Sequence, residues 1–139
     1  KTPAAIRFLS CEPLLAPLDL TNLDVPESLQ SRPNGGFRFD CLKSNDSHYY
    51  DSEAHINWVI AGGESGKDAR PCCETWIREL VHQCQGADVP VFVKQLGTNA
   101  ETGYGVNRKL RLAHSKGGDI NEWSEDLRIR QMPRITVSS

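Results

Sequence analysis

The residues best suited to chemistry stand in one glycine-rich segment, Gly62-Gly63-Glu64-Ser65-Gly66-Lys67, which follows an apolar run that begins at Trp58. The glycines leave backbone N–H groups open to a ligand, and the segment places a carboxylate beside them. Loops of this kind at strand ends bind small polar ligands in many α/β proteins. We expect Arg70 or Lys67 to pair with an anionic group of the ligand. The predicted ligand contacts in this region are Gly62, Gly63, Glu64, Ser65, Gly66 and Arg70.

The segment nearly matches two catalytic motifs and fits neither. Asp68 stands where a P-loop carries the Ser or Thr that holds magnesium, and Arg70-Pro71 delays the helix that should begin at the lysine. Ser65 lacks the second glycine of a nucleophile elbow, because Lys67 occupies that position. The sequence therefore argues against nucleotide hydrolysis and against a serine hydrolase. A ligand cradle and a plain strand-to-helix turn remain as the two alternatives for this loop.

Three more polar residues are expected at the same edge of a sheet. Glu12 follows a short alternating run, and Lys94 and Gln95 follow an apolar one. Because parallel strands end at the same edge, we expect Glu12 and Lys94 near Glu64, with Gln95 as a further ligand contact. Two carboxylates and a cation suit acid–base chemistry, so Glu12, Glu64 and Lys94 are the catalytic candidates. Ordinary solvated residues at strand ends are the alternative.

The hydrophobic pattern predicts an α/β fold with mainly parallel strands, as a partial (β/α)-barrel or an open sheet. Strand patterns cover residues 6–10, 56–61 and 89–93, and apolar residues at helical spacing predict a helix over residues 74–85. Gly86 follows as a candidate C′ residue, where the chain can turn left-handed. The order strand, loop, helix, strand makes a βαβ unit.

The remaining segments complete a single α/β domain over residues 1–139. A polar excursion covers about residues 21–55, and within it residues 36–42 alternate as one arm of a short hairpin. A tail begins at about residue 119. We expect Trp58 to lie in the core and Trp123 to anchor the tail.

Composition narrows the function further. The formal net charge of −2 gives no general attraction to nucleic acid, although Arg128, Arg130 and Arg134 make a small basic stripe that could contact one. The 5 cysteines are scattered, and Cys72-Cys73 are adjacent rather than spaced for metal, so we expect reduced thiols and no metal site. No apolar run approaches the roughly 20 residues of a membrane-spanning helix. We expect a cytoplasmic protein that contacts no membrane.

Several blocks together resemble a known family. They are Arg7-Phe8-Leu9-Ser10-Cys11-Glu12-Pro13-Leu14-Leu15, Trp58-Val59-Ile60-Ala61-Gly62-Gly63-Glu64-Ser65-Gly66, Ala69-Arg70-Pro71, Phe92-Val93-Lys94-Gln95-Leu96-Gly97, Gly117-Gly118-Asp119 and Glu122-Trp123-Ser124-Glu125-Asp126-Leu127-Arg128. The chain resembles a phage-associated family of unknown function that looks like a divergent branch of the radical S-adenosylmethionine enzymes. The long polar excursion, three of the cysteines and Lys67 depart from what the family leads us to expect.

The resemblance implies a (β/α)-barrel in which an N-terminal part carries clustered cysteines for a [4Fe–4S] cluster that cleaves S-adenosylmethionine. This chain has no such cysteine cluster and is shorter than the roughly 250 residues of a full barrel, so it looks like the C-terminal half. We therefore expect no cofactor in this chain alone. Half a barrel leaves sheet edges and apolar faces uncovered, which predicts a homo-oligomer or a missing N-terminal partner.

The leading hypothesis is a barrel-derived domain of a phage or mobile-element protein that binds a small polar ligand and has no independent redox catalysis. A self-associating or nucleic-acid interaction module is the second hypothesis. A small hydrolase or transferase that uses Glu64 with Lys94 is the third.

Overall fold

The computed structural model describes residues 4–24, 38–43, 55–103 and 108–135. In chain order its elements are β1 (Phe8–Cys11), β2 (Leu23–Asp24), β3 (Arg38–Phe39), β4 (Trp58–Gly62), β5 (Cys72–Cys73), α1 (Glu74–Gly86), β6 (Val91–Gln95), β7 (Ala100–Glu101) and two 3₁₀ turns, Ile120–Glu122 and Glu125–Leu127. No helix in these ranges is both long enough and apolar enough to cross a membrane.

The central sheet is parallel and has the order β1-β4-β6. Phe8 pairs with Trp58, and Ile60 pairs with Phe92, so each strand pairs with the next of the three along the chain. This confirms the predicted α/β fold with mainly parallel strands. Within the described residues the sheet is open and does not close into a barrel.

Helix α1 covers one face of this sheet. Its apolar positions pack with the inward-facing residues of β4 and β6; the fully buried members of this core include Val59, Ala61, Ile77, Leu80, Val81, Cys84, Val91 and Val93. The predicted helix is confirmed to within one residue. The prediction for its end is wrong, because Gly86 is the last helical residue and the left-handed backbone falls on Asp88, with φ 54°.

The opposite face of the sheet carries a different set of residues. Strand alternation and the pairing register place Phe8 and Ser10 of β1, Trp58 and Ile60 of β4, and Phe92 and Lys94 of β6 on this face. The aromatic rings of Phe8 and Trp58 lie 5.8 Å apart, and those of Trp58 and Phe92 lie 6.3 Å apart. Trp58 is therefore only partly buried, although the sequence predicted a core position.

Two short sheets flank the central one. Strands β2 and β3 pair antiparallel, which confirms a hairpin-like pairing within the polar excursion. Part of the predicted arm over residues 36–42 lies outside the described residues. Strands β5 and β7 pair in parallel, and the sequence did not predict them.

The tail covers the free edge of β6. The N–H of Val93 donates to the carbonyl of Ile129 at 2.8 Å, and the N–H of Gln131 donates to that of Val91 at 3.0 Å. The expectation that half a barrel leaves its edges open is therefore wrong for β6. In the described part of the chain, β1 is the other edge strand, with β4 on one side and no strand on its outer side.

The tail arginines hold this arrangement in place. The Arg130 guanidinium lies over the rings of Phe92 and Trp123 and donates to the carbonyls of Val93, Lys94 and Gly118. Arg128 donates to the carbonyl of Trp123. Trp123 is buried and donates from its ring nitrogen to a carbonyl, which confirms it as the anchor of the tail.

The glycine loop packs directly on the backbone that follows β6. The N–H of Gly63 donates to the carbonyl of Gln95 at 3.1 Å. A Cβ at Gly63 would lie 2.1 Å from the carbonyl oxygen of Leu96 and 2.9 Å from the Cβ of Cys72. Only glycine permits this approach, so Gly63 is required by packing.

We expect Gly63→Ala to lower the free energy of unfolding by about 1–3 kcal/mol or more, because the methyl group meets backbone atoms that cannot move aside alone. Gly86→Ala is the matched control, since a Cβ there has nothing within 4 Å. We expect it to raise the free energy of unfolding by about 0.5–1 kcal/mol, because glycine is a poor helix residue. Urea unfolding followed by circular dichroism measures both. Equal effects of the two substitutions would contradict the packing argument.

Candidate functional site

An ion pair crosses the sheet at the carboxyl ends of its strands. Glu12 directly follows β1, and its Oε1 lies 3.1 Å from the Nζ of Lys94 on β6. Strand β4 runs between them, and its residue at this level is Gly62. A Cβ at Gly62 would lie 3.5 Å from the Glu12 carboxyl carbon. This is an ordinary van der Waals distance, and it shows that the Glu12 carboxylate lies directly above Gly62 of β4.

The side chain of Gln95 contacts the Glu12 carboxylate of this ion pair. It is a buried polar residue, and its amide nitrogen donates to the carbonyl of Gly63 at 2.9 Å and lies 3.4 Å from the Glu12 Oε1. Burial of an amide is costly unless it is hydrogen-bonded, and these partners satisfy its donor group. Gln95 therefore ties the Glu12 carboxylate to the glycine loop. The Glu12 side chain is 18% exposed, whereas that of Lys94 is 56% exposed.

Glu64 has a different partner. Its Oε2 accepts from the Arg70 backbone N–H and from the Arg70 Nε, both at 2.9 Å, and its Oε1 accepts from Nη2 at 3.0 Å. These bonds close the loop between the two residues. The side-chain hydrogen bonds of Arg70, followed by its backbone hydrogen bond, lower the pKa of Glu64 to about 2.

The structure thus divides the predicted site residues into two groups. Glu12, Lys94, Gln95 and Gly62 converge, and Glu64 pairs with Arg70 a few residues further along the loop. Ser65 and Gly66 are exposed, and the Gly66 N–H donates to the Thr98 hydroxyl at 3.1 Å. The helix begins only at Glu74, which confirms that the glycine loop is not a P-loop.

Sequence reasoning missed two contributors to this edge. Ser10 is exposed on the same face as Glu12, two residues before it, and the alternation of β1 was the signal that could have identified it. Thr98 accepts from the glycine loop and donates to the carbonyl of Ser115 at 2.8 Å. No local pattern marks Thr98, because its partners are 32 and 17 residues away.

The cysteines offer no ligand set for a metal cluster. All five are free and buried. Burial raises the pKa of Cys11 to about 11 and the pKa of both Cys72 and Cys84 to about 12, whereas cluster ligands are thiolates. Among the described residues no group of three His, Cys, Asp or Glu side chains is placed to hold a metal ion.

Comparison with known proteins identifies a family without an assigned activity. Residues 1–131 match the family described as "Protein of unknown function (DUF5131)", and the chain belongs to this family. Neither the curated proteins nor the solved structures contain a significant match.

The Glu64–Arg70 pair makes a prediction about pH. Because the folded-state pKa lies below the ordinary value of 4.5, the pair stabilises the fold above about pH 4.5, and this contribution is lost as the pH falls to about 2. We expect Arg70→Met to raise the pKa of Glu64 toward 4.5, with the backbone hydrogen bond keeping it somewhat below. Carbon-13 NMR titration of the Glu64 carboxyl group measures this change. Lys67→Met in the same loop should leave the pKa of Glu64 near 2, and an unshifted pKa in Arg70→Met would contradict the assignment.

Proposed function

We propose that this member of the family binds a small polar ligand at the carboxyl edge of its sheet, through Glu12 and Lys94, with Gln95 and Gly62 shaping the site. One observation carries the proposal: side chains from the ends of two parallel strands converge above a glycine of the strand between them. Ligand sites of α/β proteins form at this edge of the sheet. Gly63, Glu64, Ser65, Gly66 and Arg70 belong to the loop that follows β4, and we propose them as further ligand contacts.

Binding has more support than acid–base catalysis by Glu64 with Lys94. Lys94 pairs with Glu12, and Glu64 is held by three hydrogen bonds from Arg70. With its pKa near 2, Glu64 is a weaker base than an ordinary glutamate, and in its ionised form it has no proton to donate. A hydrolase or transferase role for Glu64 therefore requires the clamp to open first, and the proposal assigns no catalytic step to this chain.

We further propose that the sheet derives from a (β/α)-barrel. The sequential parallel order β1-β4-β6, with α1 between two of the strands, supports this origin.

The five free cysteines support a reducing, cytoplasmic setting. Three further expectations rest on the family resemblance alone. They are radical chemistry from S-adenosylmethionine, a phage or mobile-element source, and an N-terminal partner. The buried thiols do not fit a [4Fe–4S] cluster, so no step through such a cluster is assigned here.

Nitrogen-15 NMR with a panel of small amides, carboxylates, amines and sugars tests the ligand site. We expect at least one compound to shift the backbone amides of Gly62, Lys94 and Gln95 in the wild type. Lys94→Met should weaken the binding of a neutral or anionic compound by about fivefold, because it removes a charged hydrogen-bond donor. Lys109→Met, an exposed lysine elsewhere, is the control and should bind as the wild type does. The proposal is overturned if no compound shifts these amides, or if Lys94→Met binds unchanged.

A second candidate function is self-association through β1. The strand Phe8-Leu9-Ser10-Cys11 contains no charge and no proline, and monomeric proteins use both to protect an exposed edge. Phe8 is 57% exposed beside this edge. Because the tail already covers the edge of β6, pairing of β1 with β1 of a second copy closes at a dimer and does not propagate. By contrast, Arg128 and Arg130 are engaged by backbone carbonyls, which gives the nucleic-acid hypothesis less support.

Sedimentation velocity over a concentration series tests the dimer. We expect the wild type to dimerise and Phe8→Lys to remain monomeric, because a charge beside the edge opposes strand pairing. Met132→Lys is the matched control, since Met132 is 65% exposed and lies outside β1. It should dimerise as the wild type does. A wild type that stays monomeric at the highest concentration would sink the proposal.

A further inference from the structure

The hydrogen-bonding capacity left over at the ion pair defines the chemistry of its ligand. The Glu12 Oε1 takes both contacts described above, from Lys94 and from Gln95. The Glu12 Oε2 accepts no hydrogen bond from the described residues, and it is not a buried atom. One carboxylate oxygen is thus fixed, and the other is an unpaired acceptor that is not fully buried.

Lys94 supplies the complementary group. An ammonium group has three N–H donors, and within the described residues its only acceptor is the Glu12 Oε1. The free donors therefore lie beside the free acceptor of Glu12. A ligand group that uses both must offer an N–H or O–H donor next to a carbonyl or hydroxyl acceptor.

The charge of the site adds a second criterion. Glu12 and Lys94 form an ion pair, so the two side chains together carry no net charge. An anionic group that contacts both side chains is attracted by Lys94 and repelled by Glu12, and a cationic group meets the reverse. A neutral group meets no such repulsion. The site therefore discriminates against both kinds of ion.

We propose that the Glu12–Lys94 pair recognises a neutral group with adjacent donor and acceptor, of which the primary carboxamide is the simplest. The amide NH₂ donates to the Glu12 Oε2, and the amide carbonyl accepts from the Lys94 ammonium. This inference rests on the proposed ligand-binding function and specifies the ligand class for the same site. Ser10, exposed on the same face, provides a hydroxyl group for a further polar contact.

Three planar compounds of nearly equal size test the inference: acetamide, acetate and acetamidinium. They are titrated into the nitrogen-15-labelled chain at constant ionic strength, and the amides of Gly62, Lys94 and Gln95 report binding. We expect the wild type to bind acetamide about three- to fivefold more tightly than either ion. Acetate or acetamidinium binding as tightly as acetamide would overturn the inference.

Two substitutions reverse the expected preference. Glu12→Gln leaves Lys94 without its counterion, so acetate should become the preferred compound. Lys94→Met leaves the Glu12 carboxylate unpaired, so acetamidinium should become preferred. An unchanged amide spectrum away from the site verifies that each variant folds. If either variant keeps the wild-type order of preference, the charge argument is wrong.

The outcome also separates this inference from the function on which it rests. If other members of the polar panel shift the same amides while acetamide does not, the ligand-binding proposal stands and the amide inference fails. If no member of the panel and none of the three compounds shifts them, both fail together.

Discussion

The close contact between the glycine loop and the end of β6 is the constraint on which the rest of the site depends. The backbone of Gly63 lies against that of Gln95 and Leu96 at a distance that no side chain permits. This contact brings the Gly63 carbonyl to the Gln95 amide, and Gln95 in turn reaches Glu12 across the sheet. A looser contact would take the Gly63 carbonyl away from the buried Gln95 amide and leave that donor with only its longer contact to Glu12 among the described residues.

The two faces of the central sheet are covered to different extents, and so are its two edges. A parallel sheet is usually covered on both faces, yet here α1 covers one face while the other carries partly exposed aromatic rings. The tail pairs with β6, and the Arg130 guanidinium lies over the rings of Phe92 and Trp123. That arrangement places a basic side chain, exposed by sequence criteria, in a structural role. It also leaves β1 as the strand at which another chain could extend the sheet.

The sequence predicted the elements well and their long-range partners less well. Strand and helix periodicity identified the three central strands and α1, because burial on one face imposes a period that can be read locally. The predicted end of α1 was wrong because Asp88, and not Gly86, adopts the left-handed backbone conformation after the helix. The β5–β7 pairing was missed, because a segment as short as Cys72–Cys73 has no periodicity. The pairing of the tail with β6 was not predicted either, because alternation within a segment does not identify its partner, which tertiary packing sets.

The charged residues of the candidate site show the same limit of sequence-based prediction. The residues were identified, but their partners were not. Sequence reasoning placed Glu12, Glu64 and Lys94 at one edge of the sheet, and in the structure the two carboxylates have different partners. Arg70 is only 6 residues from Glu64, so closing that loop costs little conformational entropy, and its planar guanidinium matches a carboxylate with two parallel bonds. Lys94 offers a single point charge from another strand. Glu64 therefore pairs with Arg70, which is close to it in the sequence. Lys94 pairs with Glu12, because the loop that contains Glu12 has no arginine. Which charges pair depends on the local geometry of the loops. Listing the charged residues at a sheet edge does not reveal that geometry.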